Sequence, residues 1–301
     1  QSMGNRVTVY DVAAITDGEN ATNVLGQTSY TVATAATTQK GMRLPQGLAY
    51  DSVNSRLFVA QTTAAHRVTV YDVAAITDGE NATNLLGQTS YTATTAATTQ
   101  NGMNVPQGLA YDSTNSRLFV AQSTPNRVTV YSVSAITNGE NATNLLGQTS
   151  YTVGTAAATQ NGMYVPQGLA YDSVNNRLFV GQNTGNRVTV YDVAAITDGE
   201  NATNVLGQTD YTIATAATTQ NGMNVPQGLA YDSTNSRLFV AQSTGNRVTV
   251  YTLSTVNGQA ATGILGQPNL TSTVAAMTQN GLSAPRGLMM SGSTALYVAD
   301  G

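Results

Sequence analysis

The chain has 301 residues and 41% of them are apolar, enough to bury a sizeable core in one large domain or two ordinary ones. Only 9% are Asp, Glu, Lys or Arg and the formal charge is -4, so no basic field draws phosphate backbones or anionic lipid, and neither nucleic acid nor a membrane is expected as a partner. Cysteine is absent, which excludes disulfides and thiolate metal sites, and no apolar run is long enough to span a bilayer.

The first predicted element is the "GNRVTVYDV" stretch from Gly4 to Val12, which returns four more times with Arg6, Arg67, Arg127, Arg187 and Arg247 in register. The steps are 61 residues once and 60 three times, and a fixed period of that size signals a solenoid, a propeller or an array. Within one complete copy, "GLAYDS" (Gly108 to Ser113), "RLFVAQ" (Arg117 to Gln122) and "RVTVYSV" (Arg127 to Val133) are β-branched and aromatic runs split by turn residues, and each is read as a strand. A fourth strand is placed in Asn144 to Thr152, after the turn-rich "TNGENA" and before a Thr/Ala-rich connection to Pro166.

Alternation in "RLFVA" puts Leu118 and Val120 on one face and Arg117, Phe119 and Ala121 on the other. Both faces are largely apolar, so both must be covered, which fits a sheet held between two copies of itself. Gly108 and Ala110 alternate with Leu109 and Tyr111, as suits an innermost strand where neighbouring sheets converge. The chain stops at Gly301 after the second strand of a copy and Gln1 stands just before the third. The fold class expected is all-β: one domain over residues 1–301, a five-bladed β-propeller of four-stranded antiparallel blades, closed by pairing of the N- and C-terminal strands, and monomeric.

The segments "PQGLAYDS", "RLFVAQ" and "NRVTVY" resemble the NHL-repeat pattern across all five copies, with "LYVAD" at Leu296 to Asp300 the best fit and Gln61, Gln122, Gln182 and Gln242 standing where that family usually has Asp. Long-period bacterial members are the most similar. The resemblance implies a propeller, commonly of six blades where this chain supplies five. Its members include RNA binders, zinc-dependent amidating lyases and proteins that only bind other proteins, and more distant propellers are lactonases. Twelve Lys plus Arg against sixteen Asp plus Glu offer no positive face for RNA, and His66 as the one histidine cannot supply a lyase-type zinc site.

His66 replaces the Asn found at Asn5, Asn126, Asn186 and Asn246 and is read as a substituted turn residue. Asp51, Asp112, Asp172 and Asp232 end the innermost strand near one mouth of the channel, where a hard cation or a hydroxyl-rich ligand could use them; the plainer reading is turn hydrogen bonds or pairing with Arg. Ser291 breaks that set in the closing copy. The Arg6, Arg67, Arg127, Arg187 and Arg247 set is read as structural, held between blades by carbonyls or Asp. The "DGEN" segments at Asp17, Asp78 and Asp198 and "NGEN" at Asn138 are read as solvated turns rather than calcium loops, and the five Asn-x-Thr sequons at Asn20, Asn81, Asn141, Asn201 and Asn269 as incidental. Tyr30, Tyr91, Tyr151 and Tyr211 are candidates for stacking on a ligand or for rim packing.

No catalytic residue, metal or cofactor is expected. The function expected is a non-catalytic binding or display module for a protein or carbohydrate ligand, with near-identical loops supplying avidity. The alternatives are a metal-dependent lyase or lactone hydrolase at the channel mouth, and a recently amplified or engineered scaffold without a dedicated ligand. The Thr- and Asn-rich surface points to a secreted or cell-surface setting, with Gln1 following a removed signal or lying inside a longer protein.

Overall fold

The computed structural model describes residues 1 and 3–301, which form strands, turns and bends with no helix. Two short strands come first, β1 (Val7–Val9) and β2 (Asn23–Leu25). Four complete copies follow. They comprise β3 (Pro45–Asp51), β4 (Arg56–Gln61), β5 (Arg67–Asp72) and β6 (Asn84–Leu86); β7 (Pro106–Asp112), β8 (Arg117–Gln122), β9 (Arg127–Ser132) and β10 (Asn144–Leu146); β11 (Pro166–Asp172), β12 (Arg177–Gln182), β13 (Arg187–Asp192) and β14 (Asn204–Leu206); and β15 (Pro226–Asp232), β16 (Arg237–Gln242), β17 (Arg247–Thr252) and β18 (Gly263–Leu265). β19 (Gly287–Ser291) and β20 (Ala295–Ala299) end the chain. Each complete copy is one four-stranded sheet with its strands in sequence order.

The copies fold alike because their turn chemistry repeats. In β3, β11 and β15 the ladder slips between the Pro and the Leu three residues on, and then runs to an Asp facing the Arg of the next strand, as in Asp172 opposite Arg177. The second and third strands pair over six positions, from Arg177 opposite Asp192 to Gln182 opposite Arg187. The fourth strand is shorter than the sequence indicates: β10 covers Asn144–Leu146 and not the run to Thr152. Gly147 takes φ +86, and a Cβ there would lie 2.7 Å from the Met163 side chain, so the chain turns away over that methionine.

The chain divides into two compact units, residues 1–118 with 131–143 and residues 119–130 with 144–301. In the first, Val7 and Leu25 pack with Met42, Val59, Tyr71 and Ala82, so the β1–β2 pair lies on the β3–β6 sheet. In the second, Leu206 and Met223 pack with Leu238, Val240 and Tyr251, which joins β11–β14 to β15–β18, and Ala230 and Phe239 pack with Leu288 and Met290 of β19. Within each unit, innermost strands of successive copies approach very closely. A Cβ on Gly47 would stand 2.0 Å from the Gln107 carbonyl oxygen, and one on Gly168 would stand 1.9 Å from that of Gln227. Only a residue without Cβ fits at these positions, and Gly228, 2.1 Å from the Arg286 oxygen by the same measure, is a third.

The sheet pairing among the described residues does not confirm the closure through the chain ends expected from the sequence. β1–β2 and β19–β20 are two separate two-stranded sheets, and no ladder among the described residues covers the second edge of β1 or of β20. Two strands suffice for neither a full sheet nor two covered faces, so the terminal copies stay more exposed than the interior ones.

Candidate functional site

The charged positions singled out from the sequence occupy two repeated networks, one inside each hairpin and one beneath an exposed turn. In the hairpin network, Asp51 ends β3 and is fully buried. Its Oδ1 accepts the amides of Val53 and Asn54, and its Oδ2 accepts Asn54 Nδ2 and a two-pronged contact from Arg56 at 3.0 and 2.6 Å. Asp112, Asp172 and Asp232 make the same bonds to Arg117, Arg177 and Arg237. Burial pushes the Asp51 carboxyl up, but the bonds from Asn54 and Arg56 outweigh it and hold the group down at about 2. All four candidate aspartates thus have both oxygens engaged within their own hairpins.

The second network is built on the five-fold Arg set. Arg67, Arg127, Arg187 and Arg247 are fully buried, and the groups that receive the Arg67 guanidinium are an amide oxygen and main-chain carbonyls rather than a carboxylate. Arg67 donates to the Gln61 Oε1 at 3.1 Å, to the Thr38 and Gly41 carbonyls at 3.1 and 2.9 Å, and to the Tyr91 carbonyl at 2.5 Å. Burial pushes its guanidinium down to about 10, which leaves it charged at neutral pH. Arg127, Arg187 and Arg247 reach the Tyr151, Tyr211 and Leu270 carbonyls in the same way, and the half-exposed Arg6 reaches that of Tyr30.

Those carbonyls belong to short turns at 28–32, 89–93, 149–153, 209–213 and 268–272 whose outer side chains are mostly exposed. Each of the last four carries hydroxyls bonded to one another or to an acid or amide two residues away: Ser90 with Thr92 at 3.3 Å, Ser150 with Thr152 at 3.1 Å, Asp210 with Thr212 at 2.6 Å and Asn269 with Thr271 at 2.9 Å. The first has Ser29 with Thr31 at 3.1 Å. Gln88, Gln148, Gln208 and Gln267 fix the far end, each donating to a carbonyl seven residues on. The "DGEN" segments lie against the start of the turns. A Cβ on Gly199 would meet Thr149 at 2.8 Å, and Asp198 Oδ1 accepts the Leu145 amide at 2.9 Å, as Asp78 and Asn138 accept those of Val24 and Leu85. The segments at Asp78, Asn138 and Asp198 are therefore struts between copies, a role the sequence pattern hides because Asp and Asn serve it equally through Oδ1, while a Cβ on Gly18 of the first segment would meet nothing within 4 Å.

The candidate tyrosines sit in the same turns. Tyr91 and Tyr211 are half-buried and donate their hydroxyls to the Ala82 and Ala202 carbonyls, and Tyr30 is exposed. His66 takes over the job of its Asn counterparts. Asn126 and Asn186 accept the Val165 and Val225 amides on Oδ1, and His66 accepts the Val105 amide on Nδ1 at 3.1 Å. Its φ of 50° is the left-handed value these asparagines also adopt. Burial pushes the imidazole below its ordinary 6.5, as suits a ring nitrogen that must stay unprotonated to accept. Among the described residues no three His, Cys, Asp or Glu side chains group to hold a metal ion.

Repeated four-stranded antiparallel sheets with Gly-mediated contact between innermost strands define a β-propeller fold. A crystal structure of a nidogen/laminin complex contains a chain similar to this one, with TM-score 0.55 and 17% identity over 85% of this chain and 72% of that one. No family model matches the sequence, and no curated protein does.

Proposed function

We propose that the chain is a non-catalytic binding module of NHL type, in which the five Arg-held turns present equivalent weak sites to a protein ligand. The observation that carries this reading is the pairing of buried, rigid support with exposed and repeated hydroxyl-bearing turns: Arg67 and its equivalents fix the main chain from below, while Ser90, Thr92, Ser150 and Thr152 stand on the outer side. A preformed turn loses little entropy on binding, and several copies in one chain add avidity without any strong single contact. The likeness to a propeller crystallised in a complex of two proteins favours protein over carbohydrate, as does the absence of Trp. Catalysis is disfavoured because the buried Asp and Arg groups are engaged within the fold. The fifth blade is proposed to be split, its inner strands at β19–β20 and its outer strands at β1–β2, and the setting to be extracellular.

Surface plasmon resonance of the immobilised chain against extracellular-matrix proteins and a glycan array tests the reading. Binding to a protein should fall by successive factors as Ser90/Thr92, Ser150/Thr152 and Ser29/Thr31 are changed pairwise to Ala. Glycan binding alone, or protein binding indifferent to these changes, would count against it.

A further inference from the structure

The turns before β10 and β14 each carry a glutamate with one oxygen bonded and the other bare. Glu140 Oε2 accepts the Thr137 amide at 3.0 Å, and Glu200 Oε2 accepts that of Thr197 at 3.2 Å. Their Oε1 atoms are out of reach of solvent, and no donor among the described residues meets them. A buried carboxylate oxygen without a donor is costly, so the place calls for a proton or a cation. The fifth copy shows which of these fits. Gln259 follows Gly258 as Glu200 follows Gly199, and its Oε1 accepts the Ser254 amide at 2.9 Å. Its other end, Nε2, donates to the Thr252 carbonyl at 2.9 Å.

The Thr252 carbonyl points away from the second strand of its sheet, because across a trans peptide it opposes the Leu253 amide, which bonds back to Ser236. The Val133 and Val193 amides bond back to Ser116 and Asn176 in the same way, both at 2.8 Å, so the Ser132 and Asp192 carbonyls point outward too. In the glutamate copies an oxygen takes the place of the Gln259 amide nitrogen, and a carboxyl can donate from there only when protonated. The ionisable groups around Glu200 are Asp192 and the buried Tyr191 on its own strand and Asp198 in its turn, with Tyr211 and Arg187 acting on Tyr191 beyond them. Around Glu140 the two Asp places hold Ser132 and Asn138, and Tyr131 remains. From the preceding copies, Thr89 and Thr149 are what lie nearest Gly139 and Gly199. Burial holds both carboxyls above the ordinary 4.5 against the pull of the Thr137 and Thr197 amides, and the Asp192 charge adds to it at Glu200.

The same turns grip the preceding copy. Asp198 Oδ1 accepts the Leu145 amide at 2.9 Å and the Gly199 amide donates to the Leu145 carbonyl at 2.9 Å, while Asn138 and Gly139 hold Leu85 likewise at 2.9 and 3.0 Å. Each of these struts lies inside one compact unit. We propose that Glu140 and Glu200 are proton-operated latches: on taking up a proton, each donates Oε1–H to the main-chain oxygen that ends β9 or β13 and firms its strut to the preceding copy. On losing the proton, two oxygens face each other and the turn loosens. Because the folded value lies above the unfolded one, the latch is fully closed below pH 4.5 and opens as pH rises through the folded value. This sense is opposite to that of the hairpin aspartates, whose partners are donors already.

Carbon-13 labelling of the glutamates at Cδ, with each signal assigned by a Glu→Gln exchange, reads the proton directly in the whole chain. Glu140 and Glu200 should titrate above 4.5. Amide hydrogen exchange, corrected for its intrinsic pH dependence, reads the struts: protection of the Leu85 and Leu145 amides should fall severalfold from pH 4.5 to pH 8. Glu140→Gln and Glu200→Gln supply a permanent donor, as Gln259 does, so each should keep its strut protected across that range. Glu200→Ala should lose the Leu145 protection even at pH 4.5; if it fails to fold, the Gln variants decide. Midpoints at or below 4.5, struts equally protected at both pH values, or Gln variants that still loosen at pH 8 overturn the proposal. So does protection recovered at pH 8 by adding calcium ions, because the oxygens would then hold a cation in place of the proton.

Discussion

His66 shows how much one side chain can couple the fold to acidity. Its Nδ1 holds the Val105 amide only while unprotonated, and its folded value lies below the unfolded 6.5. The contribution is therefore complete above about pH 6.5 and is lost as pH falls through the lower folded value. His66→Asn should keep the amide bond, and its urea midpoint should become flat between pH 7 and pH 5 where that of the native chain declines. Asp51 behaves in the same sense further down: lowered from 3.8 to about 2, it supports the fold fully above 3.8 and fails as pH approaches 2. Removing one charge of such a hairpin pair is costly because the other stays in place. Asp112→Asn, facing an Arg117 side chain only 15% exposed, should cost about 2–3 kcal/mol by chemical denaturation. That Asp would serve the turn was legible in the sequence from its place after a strand and before Asn. That His66 would act as an acceptor was not, because its partner lies 39 residues away.

At the scale of the strand, legibility followed chemistry that is local. The first three strands of a copy stand where β-branched runs and turn residues put them, because hairpin turns are decided within a few residues. The sequence pattern overextends the fourth, since what ends it is the Met163 side chain lying over Gly147, far along the chain. The glycine of the innermost strand was readable as a place of convergence, although its severity was not. Gly168→Ala sets a methyl 1.9 Å from a backbone oxygen that cannot swing aside, so it should cost about 3 kcal/mol or more and lower the thermal midpoint sharply. Gly287→Ala, with no such oxygen, should leave the midpoint of the isolated chain nearly unchanged. Measuring both separates a crowded junction from an open one.

For the molecule as a whole, the five-fold repeat was plain in the sequence, while the state of the ends was not: periodicity records which strands exist and is silent on whether an edge finds its complement in the same chain. Because interior junctions repeat the same contacts, removing residues 128–187, which joins Arg127 to Val188, should yield a shorter β-rich chain with a smaller urea m-value and a lower midpoint, checked by circular dichroism. Collapse into aggregate would mean that the copies are not interchangeable. The guanidinium groups under the five turns add a last property. Main-chain oxygens keep their lone pairs at any biological acidity, so the bonds that Arg67 makes beneath its turn are not titrated away. Souring the medium loosens this protein at its hairpin carboxylates and its single imidazole first, and the guanidinium-to-carbonyl bonds under the turns are among the last to respond.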